Sequence, residues 1–312
     1  MKSIFLKIVY GRQRLKSLIN QKIVKPNYNI TYFEGGLGSQ LLSFIEYQNK
    51  KIQIKDEQFV NVDYFHSDEV YQHSNGLTHW KWRLDHYGHT LDFFRNFDVK
   101  IDSEKFRRPT GLEQAKYNIS NRLFLVTQQI NDLLPIQSTP SQRMEIFFEG
   151  RSINTYGVIH IRKGDYLNVA SRLVGIEDIL NTINALKYLL PKNLVFVSDG
   201  VIDDKERASI ENTVSGGSSS WIRYFDSAMN SIDETFVHDL MRKSTFLMTS
   251  NSTFSFSAAL LNFEINSTIL FPLDFYGEAH LDKSSPYREM SKFGVLEKHS
   301  LKNPLLRYRD GL

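Results

Sequence analysis

The stretch Tyr156-Gly157-Val158-Ile159-His160-Ile161-Arg162 decides the fold, because it is a β-branched apolar run that stops at a basic side chain. Such a run is typical of a buried strand in a parallel sheet. Similar runs follow along the chain, with a helical pattern between each strand and the next. The further predicted strands cover residues 194–198, 221–225, 245–249 and 268–271, and the predicted helices cover 176–190, 203–212, 232–243 and 254–261. This alternation predicts a parallel sheet with helices on both faces.

The first half of the chain repeats the pattern less regularly. An alternating run over residues 27–33 meets Gly35-Gly36-Leu37-Gly38, and helical periodicity follows over 40–49. This combination predicts a strand, a glycine turn and a helix. We also expect a strand at 58–65, a long helix over 112–134, a helix that begins at Thr139-Pro140 and ends at Gly150, and a capping box formed by Ser231 and Glu234. The expected division is a basic segment 1–25, an amino-terminal α/β domain 26–150 and a carboxyl-terminal α/β domain 151–312.

The composition limits the chemistry. The 312 residues suffice for about two domains. The chain has no cysteine, which excludes thiol catalysis and disulfides and predicts a reducing, cytoplasmic environment. The net charge is +3, but seven of the 38 basic residues and none of the 35 acidic ones lie within residues 1–25, so the remainder carries −4. An acidic body argues against a nucleic-acid partner.

The basic segment 1–25 mixes its lysines and arginines with apolar residues. One interpretation is a solvated arm or a helix packed on the body. The other is a peripheral contact with the inner face of a membrane. No secretion signal is indicated, since Lys7 breaks the apolar run.

The strongest chemical motif is His160-Ile161-Arg162-Lys163-Gly164-Asp165-Tyr166, at the end of the predicted strand. Ligands of open α/β sheets bind at the carboxyl ends of strands. Arg162 at that edge can make two parallel hydrogen bonds to a phosphate. Asp165 can orient this arginine or act as a base. The alternative is a buried Arg–Asp pair that fixes a loop.

Two further strand–helix junctions support a phosphate or sugar site. The glycine turn at 35–38 allows the backbone to approach a ligand closely. The run Ser250-Asn251-Ser252-Thr253-Phe254-Ser255 brings several hydroxyl groups to a helix N-terminus. Ser198-Asp199-Gly200 ends another predicted strand and can face a nucleotide or form a turn. Tight packing and simple capping are the alternatives for these junctions.

The segment 64–97 holds five of the nine histidines and two of the three tryptophans. Flat aromatic faces suit sugar C–H surfaces, so this segment is the expected wall of a sugar site, with core packing as the alternative. The candidate residues for binding a sugar acceptor there, if the chain transfers a sugar, are Asp63, His66, Trp80 and Trp82, and the candidate bases are Asp165, Glu34, Asp63, His66 and Asp68. The chain has no D-x-D motif, and we expect no metal.

Together these motifs resemble those of the α-1,2-fucosyltransferases (glycosyltransferase family 11), within a wider set that includes α-1,6- and protein O-fucosyltransferases. The resemblance rests on GGLGSQLLSF at 35–44, VIHIRKGDY at 158–166, FVSDG at 196–200 and SNSTFSFSAALL at 250–261, in that order. It covers the chain from about residue 30 to 275. Ser39 stands where the family usually has asparagine, and Phe256-Ser257 replaces a more usual aromatic pair.

The resemblance implies a GT-B-like fold with two facing Rossmann-like domains and a cleft between them. It implies a metal-independent, inverting transfer of L-fucose from GDP-β-L-fucose to a galactose hydroxyl of a glycan or surface-polysaccharide precursor. His160 and Arg162 would hold the diphosphate, Arg162 and Asp165 being the catalytic residues. The other implied donor-binding residues are Gly36, Gly38, Gln40, Ser198, Asp199, Asn251, Ser252, Thr253, Phe254 and Ser255. The alternatives are a GT-B enzyme with another nucleotide sugar and a non-catalytic glycan- or nucleotide-binding relative.

Overall fold

The structure is a computed structural model, and it describes most of the chain between residues 25 and 295. The described ranges are 25–53, 59–65, 71–73, 76–78, 81–95, 97–99, 106–109, 113–114, 117–118, 121, 123–124, 126–136, 147–148, 155–163, 174–215, 221–227, 233–262, 267–272 and 293–295. None of the helices in these ranges is both long enough and apolar enough to cross a membrane. The basic segment 1–24 lies outside them.

The carboxyl-terminal half forms a six-stranded sheet in the order β12-β11-β10-β7-β8-β9. All pairs are parallel except the edge pair β11–β12. Its elements, in chain order, are β7 Gly157–Ile161, α4 Ile176–Ala185, β8 Asn193–Ser198, α5 Asp204–Ser215, β9 Trp221–Phe225, α6 Glu234–Arg242, β10 Phe246–Met248, α7 Thr253–Leu260, β11 Thr268–Pro272 and β12 Phe293–Val295. The predicted α/β class and the alternation of strands and helices are confirmed.

Side-chain alternation along the strands gives this sheet two buried faces. Val158 and Leu247 pack on one face against α6 and α7. Ile159 and Phe196 pack on the other face against α4 and α5. Two helical layers therefore cover the sheet, and its carboxyl edge is left for the loops that carry the polar motifs.

The amino-terminal half is built from smaller pieces. Its elements are β1 Lys25–Pro26, β2 Ile30–Tyr32, α1 Leu37–Gln53, β3 Phe59–Asn61, β4 Tyr71–His73, β5 Gly76–Thr78, α2 Leu91–Arg95, β6 Phe106–Arg107 and α3 Gln128–Asp132, with 3-10 turns at Asp63–Phe65 and Leu84–Tyr87. The strands β2 and β3 are parallel and are joined through α1. One face of α1 packs on an aromatic core that includes Phe33 and Phe94. The predicted strand, glycine turn and helix at 27–49 are confirmed, and the domain boundaries stay a prediction.

Two predictions were wrong. The long helix over 112–134 is interrupted, because residues 123–124 form a turn and Thr127 caps a new short helix, α3. The Leu123 carbonyl accepts a hydrogen bond from the buried side chain of Asn49 in α1 (2.9 Å). In a continuous helix this carbonyl would instead accept from a backbone amide one turn further along. The predicted cap of α6 is also wrong, because the helix begins at Glu234 and Asp233 caps it by accepting from the Thr235 and Phe236 amides. Ser231 lies outside the described residues.

A buried ion pair joins the two halves. Arg242 of α6 is fully buried and lies 3.2 Å from Asp239. Its guanidinium also donates to the Leu134 carbonyl (2.6 Å), and the Tyr87 hydroxyl donates to Asp239 (3.3 Å). Both charges therefore have several polar partners, which a buried ion pair requires.

Truncation of this arginine tests its contribution to stability. Arg242→Ala leaves the Asp239 carboxylate buried beside a cavity, so we expect the free energy of unfolding to fall by about 3–5 kcal/mol. Arg95→Ala is the matched control, because Arg95 pairs with Asp92 at the same spacing on an exposed helix. It should change stability by about 0.5 kcal/mol or less. Urea unfolding measures both, and equal losses would contradict the role given to Arg242.

Candidate active site

The polar motifs meet at the carboxyl edge of the sheet. The ladder pairs Ile161 with Ser198, the last residues of β7 and β8. The next residues, Arg162 and Asp199, are therefore neighbours. On the other side of β7, β10 ends at Met248 and leads to the loop 249–252 and the start of α7. Three strand ends thus bring the predicted motifs to one edge.

Arg162 is held in place by Asp199. Its Nη1 atom lies 2.8 Å from Asp199 Oδ2, and the other carboxylate oxygen accepts the Lys163 amide at 2.7 Å. Lys163 extends away from this pair to Glu206. About a quarter of the Arg162 side chain is exposed, which leaves it accessible to an anion. Among the described residues, the carboxylate that orients Arg162 is Asp199. Asp165 lies outside them.

His160 lies behind the arginine and is buried. Its Nδ1 atom is 2.7 Å from the Ser250 hydroxyl, and its ring is 3% exposed. Burial, assisted by the charge of Arg162, lowers the pKa of His160 to about 3. The imidazole is therefore neutral at physiological pH and adds no positive charge to the edge. This placement makes it a positioning residue that ties β7 to the loop before α7.

The loop before α7 is stabilised by its own hydroxyl groups. The Ser252 side chain caps the helix by accepting from the Phe254 amide (3.3 Å). Ser255 accepts the Ser250 amide at 3.2 Å and donates back to the loop carbonyls. Asn251 is also buried. These bonds fix the first turn of α7, whose backbone amides and helix dipole favour an anion.

The beginning of α1 packs directly on the beginning of α7. A Cβ added at Gly38 would overlap the backbone of Thr253 and Phe254, so only glycine permits this approach. Beside it, the Ser39 and Thr253 hydroxyls lie 3.3 Å apart. The function predicted for Gly38 was ligand contact, but here the glycine lets two helix N-termini meet.

Gln40 positions a loop. Its side-chain amide donates to the carbonyls of Gly35 (2.8 Å) and Lys81 (2.9 Å), and its Oε1 accepts the Arg83 amide (2.9 Å). The residue is completely buried. Gly36 begins the turn, and its carbonyl accepts the Gln40 amide. Gln40 thus connects the glycine turn to residues 81–83.

Of the residues predicted to bind the acceptor, the structure describes Asp63 and Trp82, and these two have different surroundings. Trp82 is half-buried in the aromatic core, where its indole donates to the His89 carbonyl (2.7 Å) and its ring packs near Phe33 and Phe65. Asp63 is exposed and accepts from Asn61 (2.8 Å). Packing therefore accounts for Trp82. The predicted residues His66, Trp80 and Asp165, together with the base candidate Asp68, lie outside the described residues.

His86 and His89, the two histidines of this segment whose side chains are described, have separate partners. His86 lies 3.4 Å from Asp239, whereas His89 contacts the Leu133 carbonyl at 2.7 Å. Within the described ranges no three His, Asp or Glu side chains converge as metal ligands would.

The sequence did not single out two cavities next to this edge. One, of about 610 Å³, is lined by Arg83, His86 and Glu234, and the pair Arg83–Glu234 (2.5 Å) bridges the two halves there. Burial raises the pKa of Glu234, and the charge of Arg83 opposes this shift. The other, of about 110 Å³, lies beside Ser39 and Thr253 and includes Glu34 in its lining. Neither site has a sequence signature, because both are formed by residues distant in the chain.

Comparisons with known proteins return structures only. No family model and no curated protein matches the chain. The structure of POFUT1 in complex with GDP-fucose is 10% identical, with a TM-score of 0.40, and the match covers 76% of this chain and 95% of that one. The structure of NodZ alpha-1,6-fucosyltransferase soaked with GDP-fucose is 13% identical, with a TM-score of 0.36, and the match covers 77% and 93%. Likeness at this level carries no weight for the activity, which we infer from the site itself.

The contact between the two helix N-termini can be tested at Gly38. Gly38→Ala should separate α1 from α7, lower the free energy of unfolding by about 1–3 kcal/mol and weaken anion binding at the edge. Gly88→Ala is the comparison, since Gly88 has a φ of 85° with open space around it. The Gly88→Ala substitution should lower the free energy of unfolding by about 1–2 kcal/mol through backbone strain alone and leave anion binding unchanged. Urea unfolding and titration with GDP measure the two effects. Normal GDP binding by the Gly38 variant would contradict this role.

The buried His160 predicts a pH dependence of stability. The unfolded chain protonates this histidine near pH 6.5, whereas the folded chain does so only near pH 3. The contribution of His160 to the free energy of unfolding is therefore fully present above pH 6.5 and is lost as the pH falls toward 3. When the pH is lowered from 7 to 5, the free energy of unfolding of the wild type should fall by about 2 kcal/mol more than that of the His160→Asn variant. Urea unfolding at the two pH values gives this difference. Parallel losses would show that His160 is not held neutral.

Proposed function

We propose that this chain is a GT-B-like, metal-independent fucosyltransferase that moves L-fucose from GDP-β-L-fucose to a galactose hydroxyl. The observation that carries the proposal is Arg162, which Asp199 orients at the carboxyl end of β7, beside the strand β10 that leads into α7. A guanidinium and a helix N-terminus together suit a diphosphate. The motif resemblance supports GDP-fucose as the donor. It also supports the α-1,2 linkage and a glycan or surface-polysaccharide precursor as the acceptor.

The chemistry needs a group that stabilises the leaving diphosphate. As the fucosyl–oxygen bond breaks, negative charge grows on the diphosphate and positive charge grows on the sugar ring. Arg162 and the amides of the first turn of α7 bind the growing negative charge more strongly than the ground state. Asp199 holds the guanidinium in advance, so little reorganisation is needed during the reaction.

The other motif residues hold the elements that carry this arrangement in place. His160 and Ser250 fix the loop before α7, and Gly38 and Gln40 fix the glycine turn against it. In this proposal they are positioning residues, and the donor is touched by Arg162 and by the amides of the first turn of α7. An inverting transfer places the acceptor hydroxyl on the face of the sugar opposite the diphosphate.

Replacement of Arg162 tests the proposal. Arg162→Ala should reduce turnover by about 100–1000-fold, since one charged donor to the leaving group is lost. Arg223→Ala is the matched control, because Arg223 lies in β9 with its guanidinium over the Trp221 ring, within the same sheet. Fucosyl transfer from GDP-fucose to galactose-terminated acceptors, followed by linkage analysis, measures the effect. An Arg162 variant that keeps more than about a tenth of wild-type turnover would contradict the assignment.

A further inference from the structure

We infer that the cavity of about 110 Å³ beside Ser39 and Thr253 binds one face of a neutral sugar ring. This inference rests on the proposed function, because it assigns a sugar subsite next to the diphosphate-binding edge. Its lining combines buried polar atoms that lack partners, apolar side chains and charges that are already paired. Each of these features points to the same ligand chemistry.

Two polar atoms in the lining call for a partner. The Tyr32 hydroxyl and the Gln114 Oε1 atom are buried, and neither has a hydrogen-bond partner among the described residues. Tyr32 is 8% exposed, and burial raises the pKa of its hydroxyl, which therefore stays protonated. A buried polar atom without a partner is costly. The Tyr32 hydroxyl can donate and accept a hydrogen bond, whereas the Gln114 oxygen can only accept one. The hydroxyl groups of a sugar ring can supply a partner to each.

The Gln114 carbonyl oxygen is held in a fixed orientation. The amide nitrogen of the same side chain donates to Glu46 (2.8 Å) and to Asn118 (2.9 Å). These two bonds determine which end of the side chain each atom occupies. The Oε1 acceptor is therefore positioned before any ligand arrives, which lowers the entropic cost of binding.

The charges of the lining favour a neutral ligand. Arg108 pairs with Glu34 and lies over the Tyr32 ring, its guanidinium carbon 4.9 Å from the ring centre. Glu46 pairs with the buried Lys50 at 2.6 Å. Each charged side chain of the described lining thus has an opposite charge beside it. A phosphate would find no uncompensated cation here, whereas an uncharged polyol has no charge to desolvate and needs only hydrogen bonds for its hydroxyls.

The remaining walls and the size fit a ring. Leu42, Pro109 and Phe124 supply apolar surface, which suits the C–H face of a pyranose. The cavity is about ten times larger than one water molecule requires. Thr253 belongs both to this cavity and to the first turn of α7. A ring bound here would therefore lie next to the diphosphate position, as a donor sugar or an acceptor sugar must.

Removal of a single hydroxyl tests the subsite. Tyr32→Phe keeps the ring under Arg108 and deletes only the partnerless oxygen. Tyr47→Phe is the control, because Tyr47 is another buried tyrosine, in α1, that does not line the cavity. Thermal unfolding should show both variants folded. Calorimetric titration with GDP and with GDP-fucose, together with the KM for a galactoside acceptor, gives the readout.

The expected loss is about 3- to 10-fold, the value of one hydrogen bond. A weaker affinity for GDP-fucose with unchanged affinity for GDP identifies the ring as the donor sugar. A higher acceptor KM with unchanged affinity for both nucleotides identifies it as the acceptor sugar. Either result supports the subsite. Unchanged values for all three ligands in a folded Tyr32→Phe variant overturn it, while the proposed function stands.

A wild-type chain that binds no GDP would overturn the proposed function alone. The subsite then has its own test, which is saturation-transfer NMR with free L-fucose and with methyl galactoside. A sugar signal that the wild type and Tyr47→Phe give, and that Tyr32→Phe loses, supports the subsite. No signal from either sugar, or an equal signal from Tyr32→Phe, overturns it.

Discussion

The close approach of two helix N-termini is the constraint on which the site depends. Gly38 in the first turn of α1 lies against Thr253 and Phe254 at the beginning of α7, where a larger residue would overlap the backbone. Because each helix follows a strand at the carboxyl edge, this contact brings the polar ends of both halves together. The Ser39 and Thr253 hydroxyls meet there at 3.3 Å. The buried Arg242–Asp239 pair also connects the two halves, because Asp239 accepts from the Tyr87 hydroxyl and Arg242 donates to the Leu134 carbonyl.

Among the residues that the structure describes, one cation dominates the electrostatics of the edge. His160 is buried and neutral, and Lys163 is paired with Glu206, so Arg162 is the cation there that the proposed diphosphate would meet. Asp199 partly neutralises this arginine before a ligand arrives and fixes its direction. Because of this neutralisation, Arg162 attracts anions less strongly. In the proposed reaction, however, its guanidinium is already oriented toward the transition state. The positive net charge of the chain does not describe this site, since its excess of basic residues lies in the segment 1–25.

The sequence predicted the carboxyl-terminal sheet well because each strand is a short apolar run between clear helical patterns. The strand at 221–225 was predicted to the residue and the other four predicted strands to within one residue at each end, whereas β12 was not predicted. Capping and helix continuity were predicted less well. Asp233 replaces Ser231 as the cap of α6, and the long helix fails at Leu123, because Asn49 reaches this segment from another element. Such contacts are tertiary and leave no local pattern.

The site was predicted in its parts but not in its roles. The motif at 158–166 placed Arg162 at a strand end, whereas the partner Asp199 depends on the register of β7 against β8. Gln40 and Gly38 were expected to contact a ligand, and their buried contacts give them positioning roles instead. Trp82 was expected on an acceptor wall and lies in the aromatic core, since composition alone cannot separate a binding surface from packing. The partnerless atoms of Tyr32 and Gln114 have no sequence signal at all.

A crystal structure of the chain with GDP tests the central claim most directly. The measured quantity is the position of the diphosphate. The account predicts a phosphate oxygen within about 3 Å of the Arg162 guanidinium and another within about 3 Å of an amide in the first turn of α7. It also predicts that Arg162 keeps its contact with Asp199. A diphosphate bound away from Arg162, with the Arg162–Asp199 pair left facing solvent, would contradict the account.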